Sequence, residues 1–113
     1  MSLFFCFSAV VTGAIVAGLS IPLILGKVAP NDLYGIRTEK TMRSPEAWYA
    51  GNAFGGKALL IAGITTIIIG ALIPIATESL GLRNGTLQLI GVAAELGPLV
   101  VAVVVLLVYV RKL

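Results

Sequence analysis

Apolar residues crowd into three stretches of this chain, residues 4–26, 58–77 and 87–110, and polar residues gather in one segment, 27–57, between the first two. Crossing the hydrocarbon core of a bilayer takes about 20 residues of helix at a rise of ~1.5 Å each. Each stretch supplies that length. A helix lying on a soluble core keeps one polar face, whereas the first two stretches hold no charged side chain and the third holds only Glu95. The pattern predicts an all-α integral membrane protein, with three transmembrane helices forming a single domain over residues 1–113 and a structured loop at 27–57. A cleaved leader is a poor account of the first stretch, because residues 1–16 carry no Lys or Arg and the apolar run exceeds the ~7 to 15 residues of such a core. The mature chain is expected to keep this helix.

Charge gives the orientation. Lys27, Arg37, Lys40, Arg43 and Lys57 follow the first stretch, Arg111 and Lys112 follow the third, and Arg83 alone lies between the second and third. The positive-inside rule therefore places the 27–57 loop and the C-terminus in the cytoplasm, with the N-terminus and the 78–86 loop outside. Membrane topology accounts for the net charge of +3, and a nucleic-acid partner is not required.

The chain has one cysteine, Cys6, and no histidine. An intramolecular disulfide is impossible, and Cys6 reads as a small packing residue in the first span. Without imidazole there is no Ser-His-Asp or Cys-His nucleophile system and no His-held metal or haem. No Gly-rich phosphate loop and no carboxylate cluster is present either. These features argue against an enzyme, and no cofactor is expected.

The loop carries the specific chemistry. Ser44-Pro45-Glu46 predicts a helix start, with a hydroxyl to cap free amides, a proline fitted to the first position and an acid at the positive end. From there Ser44, Trp48, Asn52 and Gly56 recur every four residues along one face, and a short interfacial helix is expected. Trp48 and Tyr49 suit the headgroup layer as aromatic anchors. Asn52 stands near Gly55-Gly56, where the helix is expected to weaken or bend. Turn chemistry at Pro30-Asn31 and at Gly35 predicts a folded-back segment that brings Arg37 toward the second helix. Arg37, Trp48 and Asn52 are then expected to form the structural core of the loop, with Arg37 bonding turn carbonyls or pairing with Glu46.

The order Pro30-Asn31-x-x-Tyr34-Gly35-x-Arg37-Thr38, followed by Ser44-Pro45-Glu46-x-Trp48-x-x-x-Asn52, resembles the signature of the SdpI/YfhL family of small bacterial membrane proteins. The resemblance implies a three-span unit in the cell inner (cytoplasmic) membrane, like the C-terminal part of the immunity protein SdpI. Longer relatives carry further N-terminal spans, and this chain reads as the short, single-unit form. Family members include immunity proteins that protect a producer from its own secreted peptide toxin, and one also sequesters a transcriptional repressor at the membrane.

Glu95 lies ~12 Å into the third stretch at ~1.5 Å per residue, and an ionised acid there costs at least ~2.5 kcal/mol to insert. It should face protein. Thr12, Thr65 and Thr66 fall at similar depth, which predicts a buried Thr/Glu cluster beside a kink at Gly97-Pro98. Two readings of Glu95 stand: a neutral acid that joins helices by hydrogen bonds, or a charged group that binds a cation, carries a proton or meets a partner's basic side chain. Small residues predict close helix packing, with Ala58, Ala62, Thr66 and Gly70 on the second span and Gly13, Ala14, Ala17 and Gly18 on the first. Residues 99–110 should face lipid.

Three functional classes follow. The first is an immunity or signalling protein of the SdpI/YfhL type, acting on other membrane proteins. The second is a non-catalytic accessory subunit of a larger membrane complex, such as a respiratory assembly. The third is an oligomeric transporter or channel, because three helices cannot enclose both a pocket and a path.

Overall fold

The structure, a computed structural model, describes residues 2–81 and 84–113. Arg83, used above for the orientation, lies outside the described residues, as does Leu82. Three helices account for most of the described residues: α1 (Ser2–Ile24), α2 (Pro45–Leu80) and α3 (Asn84–Arg111). All three are long and apolar enough to cross a membrane, as the hydrophobic pattern predicts. The molecule measures 52 × 22 × 18 Å, and α2 is its spine, packed against both neighbours while α1 and α3 touch each other far less.

The predicted helix start at Pro45 is present. Ser44 is extended at φ −154° and ψ 159°, and its Oγ accepts from the Ala47 N–H. No separate interfacial helix follows, because α2 continues unbroken for 36 residues. At ~1.5 Å per residue that is about 54 Å, well beyond a ~30 Å hydrocarbon core. The extra length is the N-terminal part of α2, which passes Gly55 and Gly56 without interruption. At its other end Gly81 adopts φ 60° and donates to the Thr77 carbonyl at 2.9 Å, a left-handed stop that a side chain would disfavour. The third helix also runs unbroken through Pro98.

Backbone proximity holds α1 to α2. A Cβ on Gly63 would sit 2.7 Å from the Gly13 carbonyl oxygen and 3.0 Å from the Ala17 nitrogen; one on Gly56 would sit 3.0 Å from the Ser20 oxygen. Gly70 faces Ala9 in the same way. The ridge that meets α1 is thus Gly56, Gly63 and Gly70, seven residues apart, with Ala62 and Thr66 buried beside it. Of the residues expected on α1, Gly13 and Ala17 make the contact, whereas Ala14 and Gly18 are exposed. Seven-residue spacing keeps a seam facing its partner along two nearly aligned helices.

Far from the loop, Phe5, Ile73, Leu87 and Ala94 form a compact apolar cluster, and Gly91 leaves room for the Phe5 ring. Near the loop, Phe54 of α2 stacks on Tyr109 of α3 with ring centroids 4.0 Å apart. Of residues 99–110 on α3, expected to face lipid, Val100, Val101 and Val104 are exposed, whereas Ala102, Leu106 and Val110 are buried, the last two beside Gly55 and Gly51 of α2.

Candidate functional site

The loop between α1 and α2 is a small folded unit built on two polar hubs. Asn31 is the first. Its Oδ1 accepts from the N–H groups of Leu33 (2.8 Å) and Tyr34 (2.6 Å), while its Nδ2 donates to the carbonyls of Ala29 (2.8 Å) and Tyr34 (2.9 Å). One side chain thus closes the turn that begins at Pro30, itself exposed. The Tyr34 hydroxyl donates to the Leu19 carbonyl and fastens this turn to α1.

Asn52 is the second hub. It is 1 % exposed, its Oδ1 accepts the Ile36 N–H at 2.6 Å, and its Nδ2 donates to the carbonyls of Trp48 (2.9 Å) and Ile36 (3.3 Å). The carboxamide pairs with Ile36 through a donor and an acceptor, as a neighbouring strand would. Trp48, buried completely, donates from its indole nitrogen to the Val28 carbonyl at 2.8 Å. Gly35 fits between them for two reasons: its φ is 119°, and a Cβ there would lie 2.8 Å from Asn52 Oδ1 and 2.9 Å from the Trp48 ring. Positive φ and absence of a side chain are both demanded at this position.

A residue outside the expected set completes the loop. Thr41 is fully buried; its Oγ1 accepts the Thr38 N–H at 2.8 Å and donates toward the Ile36 carbonyl at 2.8 Å. Thr38 returns the favour by accepting the Thr41 N–H through its hydroxyl at 3.2 Å. Gly51 makes space for the Thr41 methyl. Gly55 and Gly56, expected to weaken the helix, instead admit Ile36 and α1 respectively. The helix keeps its hydrogen bonds because tertiary contacts use the glycine surfaces.

Two expectations need correction. Arg37 is not part of the loop core: it is exposed, and its nearest acid is Asp32 at 3.9 Å, not Glu46. Trp48 is not a headgroup anchor, since no part of it reaches the surface; the neighbouring Tyr49, 38 % exposed, turns outward. The signal for Thr41 was weak, a hydroxyl three residues before the helix cap. Under the loop, a cavity of about 240 Å³ lies among Val16, Leu19, Ser20, Tyr34, Ile36 and Leu59.

A second polar site lies within the spans. Ser8 and Thr12 of α1 donate to the same oxygen, Oε1 of Glu95 on α3, at 2.7 and 2.9 Å. Thr12 therefore joins Glu95 as expected, and Ser8, one turn earlier on the same face, was missed. The two α2 threonines do not join it by hydrogen bonds. Thr65 donates to its own helix at Ile61 (2.7 Å); Thr66 is fully buried, and its hydroxyl has no partner among the described residues. A threonine inside a helix can return its hydroxyl to the preceding turn, so depth in the sequence does not by itself assemble a cluster.

Comparison with family models matches residues 27–110 to the SdpI/YfhL protein family. The matched span covers both hubs of the loop, Thr41, α2 and α3 almost to its end. Comparison with curated proteins and with solved structures gave no match.

Proposed function

The chain belongs to the SdpI/YfhL protein family, and from that membership and the shape of its loop we propose a non-enzymatic membrane protein of the toxin-immunity or signalling type. It acts through protein contacts made by the outer face of the loop. Support comes from how the loop spends its polar groups. Asn31, Thr38, Thr41, Trp48 and Asn52 bond inward to the backbone, which leaves an outer surface where Leu33, Arg37, Glu39 and Arg43 are exposed to a partner. The observation that carries the reading is Leu33, 95 % exposed beside the Arg37 and Asp32 pair. An apolar side chain set among exposed charged groups that the loop does not use gives a partner a contact with an apolar centre and a polar rim. Seven of the eight basic residues lie at this end, so the loop faces the cytoplasm of the inner membrane.

Leu33→Glu tests the proposal, because its side chain supports no other part of the loop. Normal membrane abundance with loss of toxin resistance, or of repressor retention at the membrane, is the expected result. Full activity at normal abundance would remove the outer face from the function. A second reading, an accessory subunit of a larger membrane complex, draws on the half-buried acid within the spans. Its mark would be a stoichiometric large assembly on co-purification.

A further inference from the structure

The Ser8, Thr12 and Glu95 cluster has an unfinished valence. Both hydroxyls give their single proton to Glu95 Oε1, at 2.7 and 2.9 Å. Their oxygens then offer only lone pairs. Among the described residues no hydrogen bond reaches the other carboxylate oxygen, Oε2. All three side chains are half-buried, so the cluster opens at the seam where α1 and α3 meet only lightly. Thr12 and Glu95 lie about 15 and about 17 Å from the N-terminal ends of their helices at ~1.5 Å per residue, near the middle of a bilayer. Lipid there supplies no donor, and the apolar stretches 4–26, 58–77 and 87–110 contain no Lys, Arg or His to serve as counter-charge.

The arrangement selects among possible ligands. With the carboxyl ionised it presents three acceptors, namely Oε2, Ser8 Oγ and Thr12 Oγ1, and no donor. A guanidinium recognises a carboxylate by a planar fork across both oxygens, but here Oε1 is already occupied by two hydroxyls. A hard metal cation such as Ca²⁺ or Mg²⁺ takes roughly six oxygens, twice what this site offers on a face turned to hydrocarbon. A primary ammonium is compact and has three N–H donors, one for each acceptor. At this depth such a group arrives only on another membrane-spanning segment.

We propose that Ser8, Thr12 and Glu95 form a docking site for a lysine ammonium carried at mid-bilayer by the transmembrane helix of a partner protein. The inference rests on the reading that this protein works through protein contacts, and it adds a second contact within the membrane. Charge pairing supplies the attraction, and the two hydroxyls fix the depth and register of the incoming helix.

The test uses the full-length protein in lipid nanodiscs and synthetic leucine-rich transmembrane peptides bearing one central Lys, acetyl-lysine, Asn or Leu, with association read by energy transfer. The Lys peptide should bind the wild-type protein at least about ten-fold more tightly than the other three. In Glu95→Gln, which keeps shape and hydrogen bonding, that preference should vanish while thermal stability is retained. Ser8→Ala with Thr12→Ala should reduce the preference to an intermediate value. Equal binding of all four peptides to the wild type would overturn the proposal without any variant being needed. An Asn peptide as tight as the Lys peptide would replace it with neutral hydrogen bonding. Stabilisation of the wild type by NaCl over choline chloride, absent in Glu95→Gln and accompanied by no peptide preference, would assign the site to a metal cation instead. None of these outcomes touches the Leu33 experiment, so the two proposals fail separately.

Discussion

At the scale of single residues, the loop distinguishes buried polar groups that are paired from exposed ones that are not. Asn52→Ala strips the part-buried Ile36 N–H of the one acceptor it has among the described residues, and such an orphan costs about 1–3 kcal/mol. Trp48→Ala empties a fully buried indole site and should cost about 3–5 kcal/mol. Both variants are expected to fall in folded membrane abundance and in thermal midpoint in detergent. Arg37→Ala should change stability by no more than about 0.5 kcal/mol, because a 3.9 Å pair between exposed groups is screened by water. A loss as large as that of Asn52→Ala would show that Arg37 supports the fold. Thr66 gives the opposite expectation. Its buried hydroxyl lacks a partner among the described residues, so Thr66→Val, which keeps the shape and removes the polar atom, should leave the midpoint unchanged or raise it. A fall of more than about 1 kcal/mol would indicate a bond formed by that hydroxyl in the membrane.

Helices associate in this protein by where glycine falls on them. Gly63 and Gly18 differ only in surroundings: a Cβ on the first meets backbone atoms at 2.7 and 3.0 Å, and one on the second meets nothing within 4 Å. Backbone cannot swing aside as a side chain can. Gly63→Ala should therefore separate α1 from α2 and cost about 1–3 kcal/mol, the usual range for overpacking. Gly18→Ala should be neutral or stabilise by up to about 1 kcal/mol, through reduced backbone freedom. Thermal midpoints in the same detergent decide the matter, and equal effects would contradict the observed seam. The α2 helix also shows why local propensity misleads at Gly55-Gly56. A pair of glycines weakens an isolated helix, yet here Ile36 and α1 pack on the bare surface, and their contacts hold the helix straight through.

For the whole molecule, topology is the measurable quantity. With Cys6 replaced by Ser, a cysteine placed at Glu39 should react with an impermeant maleimide only from the cytoplasmic side, and one placed at Thr86 only from the outside. Reversed labelling would invert the orientation and turn the loop toward the outer face of the membrane. The 36-residue α2 should carry the loop clear of the hydrocarbon, so its first three turns belong to the loop unit in folding as well as in shape.

Sequence alone was enough for the three long apolar helices, the helix start at Pro45 and the family. Those features depend on local signals: apolar length against bilayer thickness, capping chemistry, and an order of uncommon residues. It was not enough for Thr41, for Ser8, for the outward turn of Arg37, or for Gly63 as the point where α1 and α2 meet. Each of these depends on which faces of different segments come together. A hydroxyl reads the same in sequence whether it bonds its own helix, as Thr65 does, or a carboxylate on another, as Ser8 does. In a bundle whose surfaces are apolar on every side, hydrophobicity cannot choose the facing sides. Close backbone approach and polar pairing choose them, and only the tertiary structure contains those distances.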